Sequence, residues 1–247
     1  MGYETRANQI MELLRRSGIV QATRISEDLQ VSLVTVRKDL QRMEDDGLLH
    51  RTHGGAAIRD SRAVQDPRFV VMERIAEMAA AEIQDGDCVI MNAGNTTLLT
   101  TQKLLGRKNI TIITNSIAIA RELVQQNDIK MIFLGGEVNA EAVFTYGWDA
   151  VTQLEQYKAN KLILSVSGLS CSTGLTTRHM EAADLLRKII ARTETVIAVA
   201  DDTKIGFENF YHVGDLHAVD KLITNYTHAT EQELEQIRDM GIHVCIC

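Results

Sequence analysis

The stretch VSLVTVRKDL, residues 31–40, decides the fold of the N-terminal part of the chain. Ser32 is a residue type that caps helices, because its hydroxyl accepts a hydrogen bond from a free main-chain N–H of the first turn. Val36, Leu40 and Met43 follow at helical spacing and predict one buried face. The pattern predicts a helix over residues 33–46 whose remaining side chains face outward.

Two shorter helices and a hairpin are predicted around this helix. Apolar residues at helical spacing predict helices over residues 5–16 and 23–30. The sequence LLHRTHGGAAI, residues 48–58, predicts two short strands joined by a Gly-Gly turn. Three helices and a β-hairpin are typical of a winged helix-turn-helix, whose recognition helix enters the major groove of DNA.

The outward residues of the third helix and the hairpin have the chemistry of DNA contacts. Arginine and lysine neutralise phosphates, and the planar fork of arginine also matches guanine. The candidate DNA-binding residues are Ser32, Leu33, Val34, Thr35, Arg37, Lys38, Arg42, Arg51 and His53. Two basic residues on a helix are more often only a solvated face, and the acidic residues Asp39 and 44–46 weaken the local positive field. The prediction therefore depends on the whole helix–turn–helix–hairpin pattern.

Charge is divided unevenly along the chain. Its formal net charge is -7, yet residues 1–60 hold nine basic and nine acidic residues, so the excess lies in residues 61–247. The acidic part would be repelled by a polyanion, whereas the N-terminal part would not. The chain has no apolar run of the roughly 20 residues that cross a membrane, no secretory pattern and no CxxC among its four cysteines. We expect a cytoplasmic protein with reduced thiols and no metal site.

A second domain is predicted after a linker. The domain boundaries are 1–57, the linker 58–70, which contains the only proline, Pro67, and 71–247. In residues 71–247, continuous β-branched runs alternate with helical stretches. Such runs are typical of strands buried on both faces. They are CVIM, ITIIT, IKMIFL, KLILSV, TVIAVA and KLIT. The pattern predicts an α/β domain with an open, mostly parallel sheet.

Five loops after these strands carry ligand chemistry. Main-chain N–H groups at a helix N-terminus bind anions, and ligands of open α/β sheets bind at the carboxyl ends of the strands. The candidate effector-binding residues are Asn92, Gly94, Asn95, Thr96, Thr97, Thr114, Asn115, Ser116, Gly135, Gly136, Ser167, Gly168 and Lys204. Each strand–helix junction alone is more often only a capped helix. Three at one edge favour a pocket, which His179 could also face.

The residues resemble a known family. Residues 5–56, TRANQIMELLRRSGIVQATRISEDLQVSLVTVRKDLQRMEDDGLLHRTHGGA, resemble the DNA-binding domain of DeoR-type transcriptional regulators. GLTT, VADDTKIG and KLITN resemble the sensor domain of that family, which is similar in fold to ribose-5-phosphate isomerase and CoA transferases. The resemblance implies a repressor of a carbohydrate-utilisation operon, relieved by a phosphorylated sugar or sugar derivative. Because one winged unit reads one half-site, we expect a homodimer or homotetramer on operator DNA, without a cofactor.

The first loop departs from the family pattern. The common sequence is DxGTTT-like, but here Asn92 stands in place of the acid and Asn95 in place of a threonine. This leaves open a sugar acid, a sugar alcohol phosphate or a less usual effector. An isomerase-like enzyme, or a phosphosugar-binding protein with a non-functional DNA-binding domain, is the alternative. Isomerisation needs a positioned general base, and SVSGLS supplies no carboxylate, so we expect no catalytic residues and no enzyme activity.

Overall fold

The computed structural model describes residues 2–17, 19–46, 48–52, 54–58 and 67–247. The chain divides into two units, Met1–Phe69 and Val70–Cys247, and each has its own hydrophobic core. The predicted linker, 58–70, falls mainly on residues outside the described ranges. A helix already begins at Pro67, inside the predicted linker, and the chain divides after Phe69, one residue before the predicted end of that linker.

The first unit contains the predicted winged helix-turn-helix. Its elements are α1 (Tyr3–Ser17), β1 (Ile19–Gln21), α2 (Ala22–Leu29), α3 (Leu33–Asp45), β2 (Leu49–Thr52) and β3 (Gly55–Ile58). The strands form an antiparallel sheet in the order β1-β3-β2, so the predicted hairpin gains a third strand before α2. The turn between α2 and α3 is made at Gln30, whose φ of 49° lies in the left-handed region.

The predicted face of α3 is buried. Val36, Leu40 and Met43 are at most 1% exposed and pack with Ile10 and Leu14 of α1. At the start of the helix, the Ser32 hydroxyl accepts from the Thr35 N–H at 3.2 Å, as predicted for a cap. The core and the cap together fix which side of α3 faces outward.

The second unit is an α/β domain. Its helices are α4 (Pro67–Ala81), α5 (Asn95–Lys103), α6 (Ile117–Leu123), α7 (Trp148–Leu154), α8 (Met180–Ala191) and α9 (Glu231–Asp239). Its strands are β4 (Cys88–Met91), β5 (Ile110–Thr114), β6 (Ile129–Phe133), β7 (Glu137–Asn139), β8 (Phe144–Tyr146), β9 (Ala159–Ser165), β10 (Gly168–Ser170), β11 (Gly174–Thr177), β12 (Thr193–Val199), β13 (Tyr211–Gly214), β14 (Lys221–Thr224) and β15 (His243–Ile246). None of the helices in the described ranges is long and apolar enough to cross a membrane.

Seven strands form one parallel sheet in the order β15-β14-β12-β9-β4-β5-β6. Successive strand residues alternate between two apolar layers. Val89 and Met91 join one layer with α4 and α6, while Ile90 joins the other with α7, α8 and α9. Burial on both faces explains why these strands are continuous apolar runs. Chain order reverses between β4 and β9, which is the switch point where ligands of such sheets bind.

Two antiparallel additions were not predicted. The hairpin β7–β8 follows β6, and a three-stranded sheet, β10-β11-β13, follows β9. Their strands are only three or four residues long, too short for a clear alternation of apolar and polar residues. Both additions lie after strands of the main sheet, so they build up its carboxyl edge.

Candidate nucleic-acid interface and effector pocket

The outward face of α3 presents three side chains of the predicted DNA-binding set. Val34, Arg37 and Lys38 are exposed. Their spacing of three and four residues places them on one side of the helix. Arg37 and Lys38 have no hydrogen-bond or ion-pair partner within the described part of the chain. Within the described part of the chain, this side of α3 therefore offers two unpaired cations and one apolar group.

The acid between them is neutralised by another helix. Asp39 is 5% exposed, and its carboxylate accepts from Arg6 of α1 at 2.6 Å and 2.9 Å. The predicted weakening of the positive field by Asp39 is therefore wrong at this residue. The Asp39 carboxylate is buried in the unit and paired with Arg6. The two hydrogen bonds between them link α1 to α3.

Other predicted residues of α3 have structural partners. The Ser32 and Thr35 hydroxyls hydrogen-bond each other at 2.9 Å, and Leu33 packs on the core of the unit. The guanidinium of Arg42 lies 4.0 Å from the centre of the Tyr3 ring in α1, a cation–π contact. Arg42 is thus held against α1 by Tyr3.

The wing is tied to the recognition helix. Arg51 of β2 donates through its guanidinium to the side-chain oxygen of Gln41, and its main-chain N–H donates to Glu44 at 2.8 Å. Arg37 and Arg51 line one concave surface of about 350 Å³ together with Thr52, Gly54 and Gly55. The structure therefore brings two predicted arginines together between helix and wing. His53, the remaining predicted residue, lies outside the described residues.

A cavity of about 460 Å³ occupies the carboxyl edge of the sheet at the switch point. The loops after β4, β5 and β9 form its floor, and the chain from Glu141 to Phe144 and the start of α8 form its walls. Six predicted effector residues line it: Asn92, Gly94, Asn95, Asn115, Ser116 and Ser167. Two of the three predicted loops, those after β4 and β5, therefore line the cavity, and the loop after β6 does not. The loop after β9 completes the lining.

Asn92 is a bridge between β4 and β9. It is 4% exposed, its Nδ2 donates to the Ser165 carbonyl at 2.8 Å, and its Oδ1 accepts from the Ser165 N–H at 2.8 Å. An aspartate could accept but could not donate. Asn92, which stands in place of the family acid, therefore has both polar atoms of its amide hydrogen-bonded to main chain, although it lines the cavity.

Gly94 lies directly over Ser165. A Cβ atom at Gly94 would stand 2.5 Å from the Ser165 hydroxyl, so the close approach requires glycine. Asn95, the first residue of α5, is exposed at the cavity, and the first main-chain N–H groups of an α-helix have no partner within the helix. The Thr97 hydroxyl donates to Asn92 O and Gly94 O and closes the turn instead.

The loop after β5, residues 114–116, is held in place by hydrogen bonds of its buried side chains. Asn115 accepts from the Ala93 N–H at 3.3 Å and donates to Thr145 O at 2.9 Å. Thr114 donates to Met91 O at 2.7 Å, and Ser116 caps α6 by accepting from Ile119 N. These contacts fix the floor of the cavity, and Asn115 and Ser116 also line it.

Seven predicted residues do not line the cavity: Thr96, Thr97, Thr114, Gly135, Gly136, Gly168 and Lys204. Gly136 is packed closely against β8, because it has a φ of 132° and a Cβ there would stand 2.3 Å from Tyr146 O. The Gly135 N–H donates to the Gln153 side chain at 3.0 Å. Gly168 is similarly packed against Phe207 O. Lys204 follows β12, outside the lining, and no ion pair joins it to Asp201 or Asp202.

Sequence reasoning missed the cation of the cavity. Arg178 lies between β11 and α8, lines the cavity, and has no hydrogen-bond or ion-pair partner among the described residues. His179 lines the cavity, as suggested, and its ring meets Phe144 edge-on at 5.7 Å. Arg178 directly follows GLTT, a signal that pointed to the neighbouring histidine instead.

The lining combines neutral polar groups with one arginine and one carboxylate. It offers hydroxyls of Ser165 and Ser167, the Asn95 amide and the Arg178 guanidinium, whereas Glu141 is its single carboxylate and is exposed. Such a set suits an anionic ligand with hydroxyl groups. The described residues contain no cluster of three or more His, Cys, Asp or Glu suited to a metal ion.

Comparisons with known proteins cover both units. A model of the DeoR-like helix-turn-helix domain matches residues 6–62, and a model of the DeoR C-terminal sensor domain matches residues 72–226. The chain is 34% identical to the transcriptional repressor GlcR of Bacillus subtilis, over 91% of this chain and 89% of that protein. It is 28% identical to the glycerol-3-phosphate regulon repressor of Escherichia coli K12, over 89% and 90%. Ribose-5-phosphate isomerase A of Methanocaldococcus jannaschii aligns at 13% identity and a TM-score of 0.42, over 56% and 54%.

Proposed function

Because the chain belongs to the DeoR family of transcriptional regulators, we propose that it is a cytoplasmic repressor of a carbohydrate-utilisation operon. It binds operator DNA through the first unit and is released when a phosphorylated sugar or sugar derivative binds the second. The names of its relatives support this assignment, since they include repressors of a glycerol-3-phosphate regulon and an aga operon.

The observation that carries the DNA-binding role is the pairing of Arg37 and Arg51 on one concave surface. Arg37 comes from the recognition helix and Arg51 from the wing, and both are exposed. A winged unit places its helix in the major groove and its wing beside the phosphate backbone. Two cations between helix and wing are positioned for phosphates that line that groove.

The effector role rests on the cavity at the switch point. The first turn of α5 and the hydroxyls of Ser165 and Ser167 favour a phosphate group, because main-chain and hydroxyl donors satisfy its oxygens. Arg178 supplies the positive charge that the sequence had assigned to Lys204. The cavity requires neither a cofactor nor a metal for this role. The single carboxylate among the lining residues, Glu141, is exposed and has no partner in the described residues that would position it as a general base.

Release from the operator requires two forms of the protein that differ in DNA affinity, and the effector must bind them with different affinities. An effector shifts operator binding only by as much as it prefers the form with low DNA affinity. One winged unit reads one half-site, so the repressor acts as a homodimer or homotetramer on a repeated operator.

The test is fluorescence anisotropy with DNA from upstream of the operon of this gene, against a scrambled duplex at physiological salt. Salt matters because phosphate contacts alone bind any duplex at low ionic strength. A specific repressor prefers its operator by about a thousandfold or more. If the upstream DNA shows no preference, a duplex is selected from a random library with the full-length protein, and equal affinity for that duplex and its scrambled form would overturn the proposal.

A further inference from the structure

The recognition helix exposes one large apolar side chain in its first turn. Val34, the second residue of α3, is 74% exposed. Its neighbour Leu33 packs on the core of the unit, so the two adjacent apolar residues have different surroundings. Single exposed apolar residues are common on protein surfaces. Val34 differs by its place, since it shares one side of the helix with Arg37 and Lys38.

The polar residues of the same helix are largely occupied. Gln41 has the amide that reads adenine in many complexes, but its oxygen accepts from Arg51 and its nitrogen donates to Asp45 at 2.9 Å. The Ser32 and Thr35 hydroxyls are engaged with each other at 2.9 Å. The groups left to read bases near the start of α3 are therefore the isopropyl group of Val34 and the two cations.

We propose that Val34 contacts the C5 methyl group of a thymine in each operator half-site. The inference rests on the DNA-binding function proposed above and names one base that α3 selects. Thymine is the base that presents an apolar group in the major groove, and N-terminal residues of a recognition helix are those that reach base edges.

The geometry also places the thymine relative to Arg37. Three residues advance an α-helix by about 4.5 Å, which is close to one step of about 3.4 Å along a DNA strand. The thymine that Val34 contacts lies one or two base pairs from the guanine or phosphate that Arg37 contacts.

The experiment removes that methyl group alone. Operator sites are selected from a random duplex library with the full-length protein, and each thymine is then replaced in turn by deoxyuridine. We expect one thymine per half-site at which the replacement weakens binding about three- to tenfold. Val34→Ala should bind the thymine and uracil duplexes with equal affinity at that position. Val124→Ala, a change at another exposed valine, in the second unit, should keep the discrimination of the parent.

The outcomes separate this inference from the function on which it rests. If the library yields no preferred site, the DNA-binding function itself is wrong, and the inference falls with it. If a site is selected but no thymine methyl matters, or Val34→Ala discriminates thymine from uracil as the parent does, only the role of Val34 is overturned. Far-UV circular dichroism of Val34→Ala checks that α3 still forms.

Discussion

The side-chain amide of Asn92 pairs with both main-chain groups of Ser165, donating to its carbonyl and accepting from its N–H, each at 2.8 Å. The register of β4 with β9 ends at Met91 and Ile163, so the amide extends the ladder by one pair beyond the last main-chain contacts. This pair lies at the switch point of the sheet, on the floor of the cavity. The asparagine that stands in place of the family acid therefore helps to set the geometry of the cavity.

Asn92→Asp should destabilise the second unit. The carboxylate cannot donate to Ser165 O and places negative charge beside it, and an unsatisfied buried group costs about 1–3 kcal/mol. Urea unfolding followed by circular dichroism measures the loss. Asn95→Asp is the matched control, because Asn95 is exposed at the start of α5. It should leave stability unchanged and weaken phosphate binding by charge repulsion. Parental stability of Asn92→Asp would show that the bridge contributes nothing.

The carboxyl of Asp87 should make stability depend on pH. Burial acts to raise its pKa, but the Gln84 N–H, Lys161 and Asn160 together hold the pKa below its usual value. The ionised form is favoured by folding, so its contribution is complete above about pH 4. It is lost as the pH falls through the lowered value. Asp87→Asn should therefore be less stable than the parent at pH 6, and the difference should shrink by pH 3. Urea midpoints at the two pH values test this, with exposed Asp149→Asn as the control. A difference that does not change with pH would refute the assignment.

Arg37→Ala should weaken operator binding by roughly 1–3 kcal/mol, the range for a base-reading arginine. We assign Lys38 to a phosphate contact, so Lys38→Ala should weaken specific and non-specific binding alike and reduce the salt slope by about one. Arg42→Ala is the comparison, since its guanidinium lies over Tyr3. Anisotropy titrations at several salt concentrations distinguish the three. A loss at Arg42 as large as that at Arg37 would mean that Arg42 leaves Tyr3 to contact DNA.

Gln41→Ala should weaken operator binding through Arg51. Gln41 holds the Arg51 guanidinium between helix and wing, so its removal frees a side chain that must be ordered again on binding. Each single alanine variant should lose affinity, and the double variant should lose little more than Arg51→Ala. Additive losses would show instead that Gln41 contacts DNA independently.

Arg178→Gln should weaken effector binding about tenfold, which corresponds to about 1.4 kcal/mol, and leave effector-free operator binding unchanged. The guanidinium lines the cavity without a partner in the described residues, so its charge is available to an anion. Lys204→Ala is the control, because Lys204 lies outside the lining. Calorimetry with the effector and anisotropy with the operator separate the two effects. A response to effector that is lost in Lys204→Ala and kept in Arg178→Gln would restore the sequence-based assignment.

The sequence predicted features that depend on local pattern. The buried face of Val36, Leu40 and Met43, the Ser32 cap and the apolar strands were confirmed, because periodicity and residue type alone determine them. Partners distant in the chain were not predicted. Asp39 was treated as a surface charge, and its pairing with Arg6 depends on how α1 packs across α3.

The same limit applies to the candidate site. Asn92 lines the cavity, as expected, but its amide is hydrogen-bonded to the main chain of Ser165, 73 residues later, which was not predicted. Gly135 and Gly136 were interpreted as a site of close ligand approach, but Gly136 is packed against Tyr146 of the unpredicted hairpin β7–β8 and the Gly135 N–H donates to Gln153. Each interpretation was chemically sound for the residue alone. The arrangement of the strands decides which distant residue forms a hydrogen bond with a given polar side chain.

The most direct test of the whole account is a titration of phosphorylated sugars into the protein–operator complex, with calorimetry on the same ligands. We predict that a sugar phosphate that binds the cavity raises the operator Kd at least about fivefold, the low end of a coupling free energy of about 1–3 kcal/mol, whereas its unphosphorylated parent does not. A sugar phosphate that binds tightly by calorimetry, loses affinity in Arg178→Gln, and leaves the operator Kd unchanged would contradict it.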